Sequence, residues 1–413
     1  MNPNNHPDVT LYGVGGLYNY GCEAIVRGTV SVLRAASPNV RVRYLTPCAE
    51  NDAKRVSDLN IDVERLHAGH RGFFLRAVNK AATAFCVPFD SSKEDYGRIL
   101  SGTDLLVSIG GDIYTIPAYK RKRNRYPYFN RLVRAGELAL DRGIPEVVIG
   151  ASIGPFGDYV PAVSYYTNHL NKIDLICCRE SESVNYLDSI GVSSNVCLLA
   201  DPAFFVEGDG LTVDGDGRRY LGINLSPLSL YELVGEVTDG DCGRLANLIS
   251  CLMDQVGLPA MLIPHVLSPD DGDNDMLFLR RVHSAMDAEH QAEATVVEPE
   301  GFLDAKMYLR KCRFVVAARM HCAVNAICES IPTIFLSYSQ KSLGMCEFVY
   351  GSKEWVLPLD EVEKGLPGKL RDLAAKEDSV RKQLWGRIAE IRNITFKSES
   401  FERLRFLMAG LGE

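Results

Sequence analysis

The sequence contains no uninterrupted apolar run of the roughly 18 residues that a membrane span needs. Its first residues, MNPNNHPDVTLYGVGG, also lack the basic stretch, apolar stretch and cleavage site of a secretory signal. The 12 cysteines form no CxxC pair and no Cys/His ligand spacing, and most of them stand in apolar runs. We therefore expect reduced structural thiols, no metal site and a cytoplasmic protein.

The sequence also has no excess of positive charge. Its formal net charge is −8, with 45 Lys and Arg against 53 Asp and Glu. Such a balance argues against a general nucleic-acid or polyanion binder, so an anionic substrate must be held by local cations. The length of 413 residues exceeds what one hydrophobic core usually serves, which predicts two domains.

Short β-branched runs alternate with longer helical patterns, which is typical of parallel βαβ units. In the first half we predict strands at 9–14, 40–45, 103–109, 145–151, 173–178 and 196–200, with helices at 23–36 and 130–143. In the second half we predict strands at 220–226, 260–266, 294–299, 313–318, 333–338 and 354–359. Their nearly continuous apolar character indicates strands that are covered on both faces of a sheet.

These patterns predict an α/β chain of two Rossmann-like domains with a cleft between them. The first domain covers residues 1–207, and the second covers 220–378. Residues 208–219, rich in Gly and Asp and without an apolar face, are predicted to form a linker. The helical, charged stretch 379–413 is predicted to pack back on the first domain.

Three predicted strand ends in the first half carry glycines, which let the backbone approach a ligand closely. They are the segments 13–24, 108–112 and 150–156. Ligands gather at the carboxyl ends of strands in open α/β sheets, so these segments predict a ligand face. The candidate binding residues there are Gly15, Gly16, Asn19, Gly110, Gly111 and Asp112. Tight turns that hold no ligand are the alternative, and the sequence leaves it open.

The first glycine segment does not match a dinucleotide-binding fingerprint. After Gly13 and Gly15, the third glycine of that fingerprint is replaced by Tyr18. No acidic residue closes the following strand, VRVRYL, to bind a ribose. We therefore expect no nicotinamide or flavin cofactor.

An arginine follows the predicted strand at 173–178 and precedes a predicted helix. Arg179 would lie at the edge of the sheet, where its planar fork suits a carboxylate or a phosphate. A structural ion pair with Glu180 or Asp201 is the alternative for this arginine.

The strongest local signal is ARMHCAVNA, at the end of the predicted strand 313–318. A phosphate there would meet a helix start, the Arg319 guanidinium and the His321 imidazole. Histidine is also the side chain best suited to proton transfer near neutral pH, although a structural histidine is the alternative. Lys341 follows the next strand and adds a cation at the same edge.

His265 ends another predicted strand of the second half and is a further candidate for substrate binding. It is followed by the acidic run SPDDGDND. This run lacks the spacing and the terminal glutamate of a calcium loop, so we interpret it as a solvated loop.

Taken in order, these segments resemble the polysaccharide pyruvyl transferase family. The motifs that carry the resemblance are GxxNxGxEA, IGGD, GxSIGP, Arg-Glu-Ser-x-Ser, ADPAF, GINLSP, ARMHCAVNA and SYSQK. The family's Arg-x-His element falls on Arg319 and His321, with the backbone of Met320 between them. Its earlier arginine falls on Arg179 and its late lysine on Lys341. Cys22 stands where family members commonly have aspartate, so no role of that aspartate is carried over.

The resemblance implies a GT-B-like fold and a ketal-forming transfer of pyruvate from phosphoenolpyruvate, without a cofactor or metal. His321 would be the proton donor, and Arg319, Arg179 and Lys341 would bind the anionic donor. The first domain would serve the acceptor, a glycan that is free or lipid-linked, and the second domain would hold phosphoenolpyruvate. The alternatives are a sugar-nucleotide-dependent GT-B-type glycosyltransferase and a non-catalytic module that binds sugar or phosphate.

Two basic segments with aromatic residues, at 71–80 and 120–128, stand out in a chain that is otherwise acidic. Because a lipid-linked acceptor would present negative charge at the bilayer surface, they predict peripheral contact with the inner face of a membrane. Solvated segments paired with nearby acids are the alternative.

Overall fold

The computed structural model describes residues 6–66, 73–90, 94–121, 124–206, 217–337 and 340–411, with backbone alone at 73–77, 79, 340 and 341. The chain divides into two compact units. Unit 1 comprises Met1–Leu17, Ile25–Pro202 and Ile394–Glu413, and unit 2 comprises Tyr18–Ala24 and Ala203–Asn393.

Unit 1 is built on a parallel sheet that has seven strands among the described residues, in the order β3-β2-β1-β4-β5-β6-β7. The strands are β1 (Asp8–Tyr12), β2 (Arg41–Thr46), β3 (Asp62–Arg65), β4 (Leu105–Ile109), β5 (Glu146–Ala151), β6 (Leu175–Cys178) and β7 (Val196–Leu198). Every residue of β4 and β5 is buried, as expected for central strands that are covered on both faces. The order 3-2-1-4-5-6 is that of a Rossmann fold, so ligands are expected at the carboxyl ends of β1 and β4.

The helices that begin in the first 202 residues are α1 (Tyr20–Ala36), α2 (Ala49–Arg55), α3 (Phe73–Phe85), α4 (Tyr96–Leu100), α5 (Ala118–Arg121), α6 (Arg131–Asp141), α7 (Val160–Leu170) and α8 (Ser181–Ser189). Short 3₁₀ turns occupy Ser57–Leu59 and Pro202–Phe205.

Unit 2 repeats the same plan on a second parallel sheet, with six strands in the described part of the chain and the order β10-β9-β8-β11-β12-β13. The strands are β8 (Tyr220–Asn224), β9 (Ala260–Leu262), β10 (Ala294–Val296), β11 (Cys312–Ala317), β12 (Thr333–Ser337) and β13 (Val356–Pro358). Strands β8 and β11 lie side by side at the centre, and their carboxyl ends are adjacent.

The later helices are α9 (Pro227–Val234), α10 (Asp239–Val256), α11 (Asp275–Ser284), α12 (Ala288–Glu293), α13 (Phe302–Leu309), α14 (Met320–Cys328), α15 (Gln340–Tyr350), α16 (Val362–Ala375), α17 (Glu377–Phe396) and α18 (Glu399–Gly410). Short 3₁₀ turns occupy Asp271–Asp273 and Leu359–Glu361.

The structure confirms the α/β prediction, and each of the twelve predicted strands has a counterpart. The sequence did not indicate β3, whose residues Asp-Val-Glu-Arg lie at the sheet edge and are exposed or only half-buried. An edge strand with charged residues has no apolar run to mark it.

Three segments show how the two observed units compare with the domains predicted from the sequence. Segment Tyr18–Ala24, which the sequence placed in the first domain, groups with unit 2. Of the predicted C-terminal stretch 379–413, Ile394–Glu413 groups with unit 1. The predicted linker 208–219 lies outside the described residues as far as residue 216.

No helix within the described ranges combines the length and the apolar character that a bilayer span requires.

Candidate active site

The β11–α14 junction of unit 2 is set by an asparagine from the neighbouring strand. Arg319 is the residue immediately before helix α14, which begins at Met320. The Asn224 side-chain oxygen accepts the Arg319 backbone N–H at 2.9 Å, and the Asn224 carbonyl accepts the Ala318 N–H at 3.0 Å. Because Asn224 is fully buried at the end of β8, it fixes where β11 ends and where the helix starts.

The Arg319 guanidinium is held on one side by Asp275. Its Nε lies 3.1 Å and its Nη2 lies 2.8 Å from the same Asp275 oxygen, Oδ1. The other carboxylate oxygen of Asp275 accepts the backbone N–H groups of His265 and Val266, each at 3.0 Å. Asp275 is fully buried, so this aspartate is a fixed support with all its bonds inside unit 2.

Arg319 and Asp275 each favour the charged form of the other, whereas burial disfavours both charges. Burial opposes the charge on Arg319, but Asp275 and Asp273 outweigh it and hold the Arg319 pKa above its ordinary value. Burial raises the pKa of Asp275, while Arg319 and the two backbone donors act in the opposite direction. The guanidinium therefore stays charged at any pH where the protein is folded.

Asp273 is a second carboxylate on the same arginine. Its Oδ1 lies 2.5 Å from Arg319 Nη2. Its side chain is 30% exposed, whereas that of Asp275 is completely buried. Within the described part of the chain, Arg319 Nη1 makes no hydrogen bond, so one terminal nitrogen remains for a ligand.

The start of helix α14 adds backbone donors beside this arginine. Arg319 gives no side-chain cap to the first turn, and the first intrahelical N–H to find a partner is that of Cys322, on the Arg319 carbonyl. The N–H of Met320 has no acceptor among the described residues. Uncapped N–H groups and the helix dipole favour an anion at this point.

His321 stands in the first turn of α14 and lies against the start of helix α1. A methyl group on Gly21 would be 2.5 Å from His321 Nδ1 and 2.9 Å from its Cγ. Only glycine at this position allows α1 and the imidazole to come so close. The structure thus brings Gly21, which is far away in the sequence, into one cluster of unit 2 with Arg319 and His321.

His265 lies behind this cluster as a buried, neutral imidazole. Its ring packs edge-to-face on Tyr20 and Phe302, with centroids 5.5 and 5.8 Å apart. Neither ring nitrogen has a hydrogen-bond partner among the described residues. Burial, together with the neighbouring His321 and Arg319, lowers the pKa of His265 well below its usual value.

The segment Tyr18–Ala24 is tied to unit 2 by its backbone. The Tyr20 N–H donates to the His265 carbonyl at 3.0 Å, and the Leu267 N–H donates to the Tyr18 carbonyl at 2.9 Å. Asn19 Oδ1 accepts the Gly21 N–H at 2.9 Å, which caps helix α1. The structure thus gives Asn19, which the sequence suggested as a binding residue, a capping bond next to His321.

Glu23 completes this connection. Its buried carboxylate accepts the Phe302 N–H at 2.9 Å at the start of helix α13. The Asn-x-Gly-x-Glu motif therefore has a structural role. Asn19 and Glu23 each cap a helix, and Gly21 leaves room for the imidazole.

Arg179 in unit 1 repeats the pattern of Arg319. Its Nη1 donates to the buried Asp201 at 2.9 Å, and its Nε donates to Ser152 at 2.9 Å. The pairing with Asp201 that the sequence left open is therefore formed. Burial opposes the charge on Arg179, but Asp201 and Asp112 outweigh it and raise the Arg179 pKa. Its Nη2 lies 3.8 Å from Asp112 and makes no hydrogen bond within the described residues.

The glycines predicted from the first half lie at the expected strand ends of unit 1. Gly15 and Gly16 follow β1, and Gly110 and Gly111 follow the adjacent β4. A methyl group on Gly111 would lie 3.2 Å from Arg179 Nη2, so this backbone lines the arginine. Gly15 has open space around it.

Lys341 belongs to helix α15, and its side chain lies outside the described residues.

A cavity of about 310 Å³ opens beside the same edge of the second sheet. Its lining is largely apolar, and it includes Ala318 and Phe278. Its polar residues are partly satisfied by each other, since Arg244 pairs with Asp241 and with Glu363. An apolar lining with acidic side chains does not favour an anionic ligand in this cavity.

Sequence reasoning missed three residues of this site. It did not single out Asn224, and it interpreted the run containing Asp273 and Asp275 as a solvated loop. That interpretation is wrong for Asp275, which is fully buried at the start of α11. The available signal was Asn224 itself, a polar residue inside an otherwise apolar strand. In the described ranges no group of three or more His, Cys, Asp or Glu side chains is arranged to hold a metal.

A protein-family model for polysaccharide pyruvyl transferase matches residues 19–340. The chain belongs to this family. The match covers Arg179, Arg319, His321 and the acidic residues that hold the two arginines. Membership implies a polysaccharide acceptor. No curated protein matches the sequence.

Solved structures share the fold at low sequence identity. UDP-GlcNAc 2-epimerase from Neisseria meningitidis, bound to UDP-GlcNAc, is 11% identical over 98% of this chain and 100% of that chain, with a TM-score of 0.59. A ugt transferase from Siraitia grosvenorii in complex with UDP is 10% identical over 98% and 100%, with a TM-score of 0.57. Anabaena HepE in complex with UDP-glucose is 11% identical over 98% and 99%, with a TM-score of 0.54. These likenesses confirm two Rossmann-like domains of the GT-B type.

Proposed function

We propose that this pyruvyl transferase moves pyruvate from phosphoenolpyruvate onto two hydroxyls of a polysaccharide sugar, forming a ketal and releasing phosphate. The observation that carries the proposal is the start of helix α14. There a permanently charged arginine, an uncapped helix N-terminus and an imidazole stand within three consecutive residues, Arg319, Met320 and His321.

The donor's two anionic groups match these features. Phosphoenolpyruvate carries a carboxylate and a phosphate, and both bind well to arginine and to backbone N–H groups. Arg319 Nη1 and the Met320 N–H supply such donors in unit 2. Arg179 and Lys341 remain the further cations that the family resemblance assigns to anion binding. Each anion bound at a helix start is stabilised by about 0.3–1 kcal/mol, and more where it is partly buried.

His321 is proposed as the general acid. Its proton goes to the methylene carbon of the donor, which becomes a methyl group, and the adjacent carbon becomes oxocarbenium-like. The first sugar hydroxyl attacks that carbon and loses its proton to the imidazole, which restores the acid. General acid catalysis of this kind contributes roughly 10²–10⁴-fold to a rate.

The second half of the reaction removes phosphate. The carbon–oxygen bond to phosphate breaks, and the second sugar hydroxyl takes its place and closes the ketal. The proton of this hydroxyl leaves with inorganic phosphate, so atoms and charge balance. Arg319 counters the charge that develops on the departing group. Neutral His265 stands beside His321 without competing for the proton.

The direct test is to incubate the protein with phosphoenolpyruvate and a lipid-linked glycan or the corresponding polysaccharide. Mass spectrometry should detect the pyruvate ketal, and one phosphate should be released for each ketal formed. A metal chelator should leave the rate unchanged, because the proposed site uses arginines in place of a metal.

A sugar-nucleotide-dependent glycosyltransferase is the competing function, since structural neighbours have been solved with UDP or UDP-sugars. Thermal midpoints separate the two, because a ligand stabilises the protein that binds it. A midpoint that rises with phosphoenolpyruvate supports the proposal. A midpoint that rises only with UDP-sugars contradicts it.

A further inference from the structure

The two carboxylates on Arg319 differ in a way that matters for ligand binding. An arginine presents five N–H groups in a planar fork. Asp275 takes the side formed by Nε and Nη2. The opposite, end-on side is formed by Nη1 and the second N–H of Nη2, and it is the remaining place for a two-point bond to an anion.

Asp273 occupies half of that end-on side. Its Oδ1 binds Arg319 Nη2 at 2.5 Å, while Nη1 stays without a partner among the described residues. An incoming carboxylate or phosphate that bridges both terminal nitrogens must therefore replace Asp273. With Asp275 and Asp273 both in place, two negative charges face one guanidinium. Their combined charge repels an incoming anion.

The supports of the two aspartates show which one can move. Asp275 begins helix α11, is fully buried and also accepts two backbone N–H groups. Asp273 ends a 3₁₀ turn of three residues, Asp271–Asp273, and its side chain is 30% exposed. An exposed carboxylate regains water when it leaves, whereas a buried one would be left without solvation.

We infer that Asp273 is an internal competitor of the anionic donor: it holds the end-on side of Arg319 in the unliganded protein and is displaced when the donor's carboxylate or phosphate binds. Asp275 is the positioning residue that keeps the guanidinium in place during this exchange. The inference rests on the proposed function for the identity of the donor, but the exchange applies to any small anion of this type.

The experiment measures the Kd of two anions, phosphoenolpyruvate and inorganic phosphate, by titration calorimetry on the full chain. In Asp273→Asn the competing charge is gone, so Kd should fall by about fivefold for both anions. The KM for phosphoenolpyruvate should fall in the same direction.

The matched control is Asp271→Asn. Asp271 lies on the same turn and is exposed, and it has no bond to Arg319. The Asp271→Asn substitution removes the same charge from the same loop, so an unchanged Kd in this variant excludes a general effect of net charge.

The second variant, Asp275→Asn, should act in the opposite direction. Loss of the buried support should raise Kd and KM by about tenfold or more, with partial recovery in Asp275→Glu. The pattern of one aspartate weakening binding and its neighbour strengthening it would not arise from loosened packing alone. Thermal midpoints confirm which variants are folded.

Equal anion affinity in Asp273→Asn and Asp271→Asn, or weaker affinity in Asp273→Asn than in wild type, would overturn the inference. Failure of the proposed function has a different signature. Wild-type protein would then form no ketal, while inorganic phosphate would still bind about fivefold more tightly to Asp273→Asn. If neither anion bound to Asp273→Asn, the inference would also be overturned.

Discussion

At the scale of single residues, Gly21 determines how closely helix α1 approaches His321. Replacing Gly21 by Ala puts a methyl carbon 2.5 Å from Nδ1, so the imidazole must move. Alanine is the better helix former, and the substitution should therefore leave the thermal midpoint nearly unchanged. We expect turnover to fall by about tenfold or more, because a proton donor must lie within hydrogen-bond reach of its target.

Gly243→Ala is the matched control for this substitution. Gly243 lies in helix α10 with nothing within 4 Å of an added methyl group, so its activity should equal that of wild type. If Gly21→Ala were as active as Gly243→Ala, the place given to His321 at the α1 start would be wrong.

Arg319→Lys tests whether the fork shape of the arginine is needed. A lysine ammonium is a point charge and cannot bond Asp275 on one side and an anion on the other. Steady-state kinetics should show a KM for phosphoenolpyruvate raised by about tenfold or more, with a smaller change in kcat. An unchanged KM would mean that Arg319 is purely structural.

The sequence was most informative where the residues of the site are neighbours in the chain. Arg319, Met320 and His321 follow one strand, so their common location was predictable. Asn224 and Asp275 lie on two other elements, and the local sequence pattern does not indicate that their side chains converge on Arg319. The acidic run was misinterpreted because composition alone does not show which of its members is buried.

At the scale of elements, unit 1 contains a buried carboxyl–imidazole pair in which both groups are neutral. Glu146 at the start of β5 and His169 in α7 lie 3.5 Å apart and are fully buried. Burial raises the pKa of Glu146 to about 8, although hydrogen bonds from Ser108 and Tyr114 lower it. Burial also lowers the pKa of His169 to about 3.

This pair predicts how the stability of the fold depends on pH. Folded Glu146 keeps its proton up to about pH 8, whereas the unfolded side chain loses it near pH 4.5. On Glu146 the folded state thus binds more protons between these values, and above about pH 6.5 the unfolded histidine no longer offsets it, so the free energy of unfolding should fall as the pH rises from about 6.5 to 8. Glu146→Gln should flatten this decline and raise the thermal midpoint at pH 8 above that of wild type. Parallel midpoint curves for the two proteins would contradict the buried neutral carboxyl.

His169 acts at the other end of the pH range. Its folded pKa is lowered, so the unfolded state binds more protons below the usual histidine pKa, and stability should also fall as the pH drops toward 3. The most stable condition of unit 1 should therefore lie at mildly acidic pH.

Element boundaries followed from sequence wherever an apolar run was continuous. The strands β4 and β5 are of this kind, and the prediction placed both within two residues of their observed limits. The charged edge strand β3 was missed because an edge needs no apolar face on both sides.

At the scale of the whole molecule, unit 1 exposes apolar and basic residues near Phe85 and near Tyr119. Phe85, Val87 and Tyr119 are each more than half exposed, and Arg125 donates to the Phe85 carbonyl. Lys120 lies next to Tyr119 in α5. The predicted basic residues Lys122 and Arg123 lie outside the described residues.

Peripheral contact with a membrane therefore stays a prediction. Each basic residue near an anionic leaflet contributes about 1 kcal/mol to binding. Sedimentation with anionic liposomes should be salt-sensitive, and it should weaken when Arg121, Lys122 and Arg123 are changed to Gln. Equal sedimentation of wild type and variant would leave the surface without a membrane role.

The proposed function depends on transfer of pyruvate at the start of α14, with His321 as the proton donor. The most direct measurement compares wild type with His321→Ala in ketal formation, followed by mass spectrometry, and in phosphoenolpyruvate binding, followed by calorimetry. We expect ketal formation to fall by about 10²-fold or more while the Kd for phosphoenolpyruvate stays within a few-fold of wild type, because Arg319 and the helix start still bind the donor. Ketal formation at a nearly normal rate in His321→Ala would contradict the role of His321 as the proton donor.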